Sequence, residues 1–276
     1  MLTLMYITNS PDIALIAEAN GVQRVWVDLE TLGKEERQKG RNTVKSNHTV
    51  ADVRAIKPLL TTAELLVRIN PWNDQSPAEV DAVIDAGADL IMLPMWKTAY
   101  EVECFLKAVH GRIPTVLLLE TREAEQCLDE VLELDGISEI HIGLNDLHIS
   151  YGLDFMFELL SNGTVETICR KIAQKGIPYG FGGIAKIGDG AVPAEKIILE
   201  HCRLGSTRAI LSRTFCDNAK ISSTEEIERV FRLNMKAIRA FEEYAAQAPE
   251  EAIERNRLDL CEAVARVAQE MRAKRG

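Results

Sequence analysis

Three charged residues stand at or near the ends of apolar runs in this chain of 276 residues. Glu120 closes the run TVLLLE, Asp146 closes IHIGLND, and Arg68 lies near the end of ELLVRIN. A buried strand gains nothing from an acid that no partner neutralises, because an unpaired buried charge costs several kcal/mol or more. The pattern therefore predicts that these three side chains belong to a site.

Two interpretations of this group follow from the residue types. A guanidinium beside several carboxylates can be an ion-pair network with a structural role, and the run RVWVDLE adds two further acids, Asp28 and Glu30. In the second interpretation, Glu120 and Asp146 bind a divalent cation while Arg68 stabilises an oxygen that gains negative charge during a reaction. We favour the second interpretation.

The elements that would bring these residues together are repeated βα units. Short aliphatic and β-branched runs alternate about eight times with segments of helical periodicity. Nearly continuous apolar runs such as TVLLL indicate a sheet that is covered on both faces. We therefore predict an α/β fold, a (β/α)8 TIM barrel, in which the carboxyl ends of the strands meet at one mouth. The predicted strands cover residues 2–7, 24–30, 64–70, 90–94, 115–120, 139–144, 177–182 and 208–212.

An open, doubly wound sheet is the alternative, because periodicity does not reveal whether a sheet closes. Such a sheet normally carries a glycine-rich phosphate-binding loop after its first strand. No such loop follows the first predicted strand of this chain, and this favours the barrel. Helices are predicted to begin at three capping signals, which are Ser10-Pro11, Ser76-Pro77 and Thr98.

The last fifty residues have a different organisation. Residues 223–273 have the periodicity of two helices separated near Pro249. We predict a catalytic barrel domain over 1–246 and a C-terminal helical extension over 247–276. The final helix is amphipathic, so it needs a partner surface on its own barrel or on a neighbouring subunit. Its apolar side carries Ile253, Leu258, Leu260, Val264, Val267 and Met271.

A polar stretch rich in basic residues covers residues 33–50. It is long for a βα loop, and it follows the second predicted strand on the face where barrel active sites form. The stretch is predicted to be either a lid over the mouth or a solvated loop without a role.

Charge and hydropathy exclude several classes of protein. The net charge of −10 repels nucleic acid phosphates and anionic membranes, so neither is an expected partner. No apolar stretch approaches the ~20 residues of a membrane span, and the first residues lack a basic region and a cleavage site. The six cysteines include no C-x-x-C pair, which is typical of buried, reduced thiols. These features predict a cytoplasmic protein.

Five motifs carry a resemblance to a known family. They are VWVDLE, LLVRIN, ADLIMLPM, LLLETREA and IGLNDLHISYGL, in that order and on successive predicted strands. The motifs resemble those of the HpcH/HpaI class II aldolase and citrate lyase β-subunit family, whose members are barrels of the phosphoenolpyruvate/pyruvate superfamily. The resemblance extends over residues 20–215 and implies a small-molecule substrate and a homo-oligomer.

The resemblance also implies roles for individual residues. Glu120 and Asp146 match the acids that hold Mg²⁺, Mn²⁺ or another divalent cation, and Arg68 matches the arginine that faces a keto or thioester oxygen. The backbone of the G-x-x-D turn, which here includes Gly143, Asn145 and Asp146, binds the substrate carboxylate. Glu30 is expected at the catalytic centre, where we predict that it orients Arg68.

This chain departs from the family pattern at three positions. Thr31 stands where the aldolases carry a proton-transferring histidine and citrate lyase-type members carry aspartate. Leu118 replaces the glutamine of the aldolases, and Met95 replaces the lysine of an L-P-K motif. The candidates for the missing acid–base group are Glu30, His48 and a metal-bound water.

Other histidines and glycines favour structural interpretations. His141 lies within a predicted strand and is expected to be a hydrogen-bonded core residue, and the same is expected of His148. The glycines of GFGG (180–183) resemble a phosphate-binding turn, but close packing of strands at the top of the barrel explains them as well.

The predicted function is a divalent-metal-dependent carbon–carbon lyase that forms or cleaves a 2-oxo acid through a pyruvate enolate. A citrate lyase-like enzyme that cleaves a 3-hydroxyacyl-CoA thioester is the nearest alternative. Coenzyme A would require basic residues near the mouth, and four are available in the polar stretch: Lys34, Arg37, Lys39 and Arg41. The second alternative is a barrel that has lost activity and serves as a binding subunit.

Overall fold

A computed structural model describes residues 1–33, 47–217, 221 and 223–274. Eight parallel strands close into a barrel in chain order, with β8 beside β1. The predicted (β/α)8 barrel is therefore confirmed, and each predicted strand is present. The strands are β1 (Thr3–Ile7), β2 (Arg24–Asp28), β3 (Glu64–Arg68), β4 (Leu90–Leu93), β5 (Thr115–Leu119), β6 (Glu139–Ile142), β7 (Tyr179–Ile184) and β8 (Arg208–Leu211).

Helices surround this barrel, and three of them begin where the capping signals predict. The Ser10 side chain accepts a hydrogen bond from the first turn of its helix, and Thr98 forms a capping box with Glu101. The α-helices of the described residues are α1 (Pro11–Ala19), α2 (Val50–Ile56), α3 (Ser76–Asp85), α4 (Ala99–Val109), α5 (Arg122–Gln126), α6 (Leu128–Val131), α7 (Leu144–Ser150), α8 (Glu158–Ser161), α9 (Thr164–Gln174), α10 (Ala194–Arg203), α11 (Thr224–Ala246) and α12 (Glu250–Ala273). A short 3-10 helix, Lys57–Leu59, follows α2.

Side chains from alternate strands fill the barrel in layers, as the register of the pairs requires. Trp26, Met92, His141 and Ile210, from the even-numbered strands, form one layer near the middle. Met5, Leu66 and Val116 form the layer below, and Ile7, Arg68 and Leu118 form the layer above. The interior is thus packed, and the charged side chains of the described residues reach it only towards its two ends.

Charged residues close the base of the barrel, where the strands begin. Arg24 donates to Glu139 Oε2 at 2.8 Å and to Oε1 at 3.0 Å, and it also donates to Glu64 Oε2 at 2.8 Å. Arg208 donates to the same Glu139 carboxylate at 3.1 and 3.3 Å. Each of these four residues is the first of its strand, so together they cap the apolar layers.

The C-terminal helix packs on its own barrel. Leu260, Val264 and Ala268 of α12 are buried, and the helix contacts α8 and α10. Asn256 donates to the Lys196 backbone oxygen at 3.1 Å. Leu258, predicted on the apolar side, is instead 49% exposed. The division into a barrel over 1–246 and an extension stays a prediction. Within the described residues, no helix combines the length and the apolar character that crossing a bilayer requires.

Candidate active site

Arg68 is held rigidly at the mouth, at the carboxyl end of β3. Its Nε and one terminal nitrogen donate to the two carboxylate oxygens of Asp28, each at 2.8 Å, and the same terminal nitrogen lies 3.3 Å from Glu30 Oε2. The guanidinium carbon lies 5.2 Å from the ring centre of Trp26 in the layer below. A forked pair over an aromatic ring fixes the orientation of the cation.

The charge of Arg68 is maintained by its neighbours. Burial by itself lowers the pKa of the guanidinium, but attraction to Asp28, Glu30 and Glu120 and the hydrogen bonds to Asp28 raise that pKa above its ordinary value. The side chain therefore stays protonated at every accessible pH. A permanent cation at this position can stabilise negative charge on a substrate oxygen.

Asp28 and Glu30 lie beneath the protein surface, at 2% and 1% exposure. Glu30 contacts Arg68, and its orienting role stays a prediction. The backbone N–H of Asp28 donates to His48 Nδ1 at 2.9 Å, so the structure brings His48 to the edge of the arginine site. Because Nδ1 accepts this bond, the neutral ring carries its proton on Nε2.

Glu120 follows β5 directly, and its carboxylate is fixed from two sides. The backbone N–H of Met95 donates to Glu120 Oε1 at 3.1 Å, and Met95 has a φ of 54°, a left-handed conformation that side chains rarely adopt. On the other side, a Cβ atom at Gly143 would lie 2.9 Å from Glu120 Cβ and 2.9 Å from Oε2. Glycine is therefore needed at position 143 to leave room for the carboxylate.

Asp146 lies in the first turn of α7, three residues after Gly143. Gly143 N–H donates to the Leu119 backbone oxygen at 2.9 Å, so the end of β6 is bonded to the end of β5 just before Glu120. The N–H of Gly143 is therefore already used within the barrel, and the glycine contributes space to the site. Asn145 is exposed and Asp146 is half-buried at the adjacent strand end.

The residues present fit a hard divalent cation. Among the described side chains, no group of three or more His, Cys, Asp or Glu residues forms a metal cluster. Mg²⁺ does not need such a cluster, since it commonly takes one or two carboxylates and completes its shell with water and substrate oxygens. Glu120 and Asp146 supply oxygen donors of that number and kind, and Gly143 leaves room for the Glu120 carboxylate beside the turn that carries Asp146.

One group of residues at the mouth was not predicted from the sequence. Asn70 Oδ1 accepts from the Thr31 backbone N–H at 2.9 Å, the Thr31 hydroxyl at 3.3 Å and the Leu32 N–H at 3.0 Å. Thr31 is thus a donor to Asn70. The asparagine of V-R-I-N was visible in the sequence, but its partner Glu79 lies nine residues away in α3 and no motif links the two.

The remaining sequence candidates have mainly structural environments. His141 is buried as expected, and its ring lies against the Gly182 backbone. Burial lowers the pKa of His141 to about 4, while Glu139 and the Gly182 backbone act to raise it. His148 Nδ1 lies 3.2 Å from the Leu144 backbone oxygen. Lys34, Arg37, Lys39 and Arg41 lie outside the described residues, as does most of the predicted lid.

The glycines of β7 serve strand packing. A Cβ atom at Gly180 would lie 2.2 Å from the Arg208 backbone oxygen, which no side chain tolerates. Gly182 has a φ of 52°, and a Cβ there would lie 2.7 Å from a methyl carbon of Leu144. These contacts account for the GFGG sequence without a phosphate.

Comparison with known proteins relates the chain to a family. A family model described as HpcH/HpaI aldolase/citrate lyase matches residues 2–158. The hydroxypyruvate/pyruvate aldolase of Rhizorhabdus wittichii is 28% identical over an alignment of 183 residues, which covers 52% of this chain and 72% of that protein.

Solved structures share the fold. The HpcH/HpaI aldolase from Desulfitobacterium hafniense DCB-2 superposes with a TM-score of 0.57 at 17% identity, covering 76% of this chain and 86% of that chain. An HpcH/HpaI aldolase/citrate lyase family protein from Burkholderia cenocepacia J2315 gives 0.58 at 14% identity, covering 87% and 94%. Identities this low show only a common fold. The match of the family model to more than half of the sequence establishes that the chain belongs to the HpcH/HpaI aldolase/citrate lyase family.

Proposed function

We propose that the protein is a carbon–carbon lyase of the class II aldolase type, which forms or cleaves a 2-oxo acid through a pyruvate enolate and depends on Mg²⁺, Mn²⁺ or a similar cation. The supporting observation is the mouth of the barrel. Arg68 is fixed there by the Asp28 fork, and Glu120 is fixed on a nearby strand end by Met95 and Gly143. The similarity to a hydroxypyruvate/pyruvate aldolase supports a 2-oxo acid as substrate.

Glu120 and Asp146 are the residues that would hold the cation, which supplies Lewis-acid polarisation of the 2-oxo group when it is bound. Arg68 donates to the same keto oxygen and stabilises the negative charge that develops there. The N–H groups of Asn145 and Asp146 would bind the substrate carboxylate, since they lie in the first turn of α7.

The cleavage reaction has a defined electron and proton balance. A base removes the proton from the hydroxyl at C4 of a 4-hydroxy-2-oxo acid, the C3–C4 bond breaks, and an aldehyde leaves. The bonding pair moves into the pyruvate enolate, whose oxygen is stabilised by Arg68. A proton then adds to C3 and gives pyruvate. Glu30 is committed to Arg68, and His48 could act as the base only after its Nδ1 released the bond from the Asp28 N–H; otherwise a water held by the cation would supply the base.

Exchange of the methyl protons of pyruvate in deuterated buffer tests this function directly. The enolate forms from pyruvate alone, so the protein with Mg²⁺ or Mn²⁺ should exchange C3 protons, and a chelator should stop the exchange. A protein that binds the cation but exchanges no protons would contradict the pyruvate enolate. Cleavage of malyl- or citramalyl-CoA by such a protein would favour the thioester alternative.

For the assembly, we propose a homo-oligomer in the cytoplasm, with a small-molecule substrate and no nucleic acid or membrane partner. The oligomer is supported by the family resemblance and not by α12, because that helix packs on its own barrel. Light scattering of the full chain should give a mass that is a multiple of the 30.7 kDa protomer. A monomeric mass at micromolar concentration would contradict the proposed homo-oligomer.

A further inference from the structure

Asn70 lies at the junction of the two strand ends that carry the arginine site. It stands two residues after Arg68, and its carbonyl oxygen accepts three hydrogen bonds from Thr31 and Leu32, which follow Glu30. One side-chain oxygen therefore connects the segment after β3 with the segment after β2. Next to this connection, a terminal nitrogen of Arg68, the last residue of β3, lies 3.3 Å from Oε2 of Glu30, which stands two residues after β2.

Asn70 is itself oriented by Glu79. The Asn70 amide nitrogen donates to Glu79 Oε1 at 2.8 Å, and the Asn70 backbone N–H lies 3.2 Å from both carboxylate oxygens. The amide can turn its oxygen towards Thr31 only when its NH₂ group faces an acceptor, and Glu79 is that acceptor. Because α3 carries Glu79, the body of the barrel fixes the orientation of the amide.

This arrangement also gives Thr31 a role. Its hydroxyl and its backbone N–H both donate to Asn70. Thr31 stands at the position of the family's proton-transferring group, and in this chain it links the segment after β2 to Asn70 by hydrogen bonds. An exposed threonine that is bonded in this way holds the backbone next to Glu30 in place.

We propose that Asn70 and Glu79 form a positioning pair that holds Glu30 and Arg68 in register for the stabilisation of the enolate oxygen. The inference rests on the proposed function. Loss of the pair should misplace Arg68 relative to the substrate oxygen, and a displacement of about 1 Å in an active site can cost on the order of a hundredfold in rate. Neither residue needs to contact the substrate.

A reciprocal exchange of the two side chains tests the pair. Asn70→Asp places a carboxylate against Glu79 and should slow pyruvate exchange on the order of a hundredfold. Glu79→Gln leaves one of the two oxygens that accept from Asn70 and should slow pyruvate exchange about tenfold. In Asn70→Asp/Glu79→Gln, the new aspartate accepts from the new amide and all the connections can form again, so the rate should recover to within about tenfold of wild type.

Asn73→Asp is the matched control. It makes the same chemical change three residues away, in a side chain that donates to the Pro71 backbone oxygen and accepts from the Gln75 N–H. We expect this variant to exchange pyruvate at the wild-type rate. Thermal midpoints of all variants should be recorded, so that a loss of rate is compared only among folded proteins.

Two measurements, the rate of pyruvate exchange and the NMR signal of the Arg68 Nε–H, distinguish a positioning role of the pair from a purely structural one. They also distinguish failure of the pair from failure of the proposed function. A double variant no faster than Asn70→Asp, or a folded Asn70→Asp that exchanges at the wild-type rate, overturns the pair. If the wild type exchanges no pyruvate, the proposed function fails, and the NMR signal of the Arg68 Nε–H then decides about the pair. A shift of that signal in Asn70→Asp that is reversed in the double variant supports positioning, and an unchanged signal in all variants overturns it.

Discussion

The two ends of the barrel use the same residue types in different proportions. At the base, Arg24 and Arg208 meet Glu64 and Glu139, so that two cations face two anions. At the mouth, within the part of the chain that the structure describes, the guanidinium of Arg68 lies among three carboxylates, those of Asp28, Glu30 and Glu120. A balanced network needs nothing from outside, whereas an excess of carboxylates favours a cation. The proposed site therefore differs from the structural network at the base in the proportion and position of its charges more than in their presence.

The backbone differs between the two ends as well. The base is made of the first residues of regular strands, while the mouth holds Met95 at a φ of 54° to direct an N–H at Glu120. A side chain in this left-handed region costs of order 1 kcal/mol or more, and such strain collects at functional sites. The regular base therefore contributes to stability, whereas the mouth retains a strained backbone at Met95 that lowers stability.

The largest effect is expected from Arg68→Lys. An ammonium cannot reproduce the fork to Asp28 or the directed donor for an oxyanion, so exchange of pyruvate should fall on the order of a thousandfold. The thermal midpoint should change little, because the positive charge remains. Arg229→Lys, an exposed arginine paired with Glu226, is the control and should keep the wild-type rate. Full activity in Arg68→Lys would remove the oxyanion role.

Glu139→Gln should have the opposite profile. It leaves Arg24 and Arg208 without their shared buried anion, and breaking a buried pair typically costs about 4 kcal/mol of unfolding free energy. The folded fraction should exchange pyruvate at the wild-type rate. Denaturant titration and the exchange assay check the two halves of this prediction. An active-site defect in folded Glu139→Gln would show that the ends are not independent.

The pH dependence of stability sharpens the same contrast. Burial raises the pKa of Glu139, but hydrogen bonds and attraction from Arg24 and Arg208 outweigh burial and lower it below its ordinary value of 4.5. A lowered carboxyl pKa gives stability that is present above the ordinary value and is lost as the pH falls through the folded-state pKa. Glu139→Gln should therefore lose less stability than wild type on acidification below pH 4.5.

His141, between the two ends, should control stability in a higher pH range. Burial lowers its pKa from 6.5 to about 4, so the unfolded chain takes up a proton at a pH where the folded chain does not. Stability should fall by about 3 kcal/mol as the pH drops from 6.5 to 4, and His141→Leu should flatten this part of the curve. An unchanged curve would assign the loss to His201, whose pKa is lowered by burial to about 3.

The smallest effect is expected from Met95→Gly. Glycine adopts a positive φ without strain and keeps the N–H that donates to Glu120. The free energy of unfolding should rise by about 1 kcal/mol or less, with activity retained. Denaturant titration measures the change. A clear loss of stability would show that the Met95 side chain contributes more through packing than its backbone costs.

Much of the fold could be predicted, because each strand is a short apolar run and three of the helices begin at signals visible in the sequence, at Ser10, Ser76 and Thr98. TVLLL, for example, is the kind of continuous apolar run that a sheet covered on both faces requires. The convergence of Arg68 and Glu120 was also predictable, since the carboxyl ends of parallel strands share one mouth. These inferences need only local pattern and the handedness of βα units.

Other features depend on register, which the sequence does not reveal. Arg24 and Glu139 are 115 residues apart and pair only because the barrel closes with one particular stagger. The need for glycine at position 143 follows from the path of Glu120, and the connection between Asn70 and Glu79 follows from the approach of α3 to β3. No local pattern encodes such contacts between distant residues.

Titration with Mn²⁺ tests the distinction between the two ends most directly. Four proteins should be compared by calorimetry: wild type, Glu120→Gln, Asp146→Asn and Glu139→Gln. Wild type and Glu139→Gln should bind the ion equally, because the base carboxylate is neutralised by Arg24 and Arg208. Removal of either mouth carboxylate should weaken binding by about tenfold or more. Equal affinity in all four proteins, or binding in none, would contradict the account.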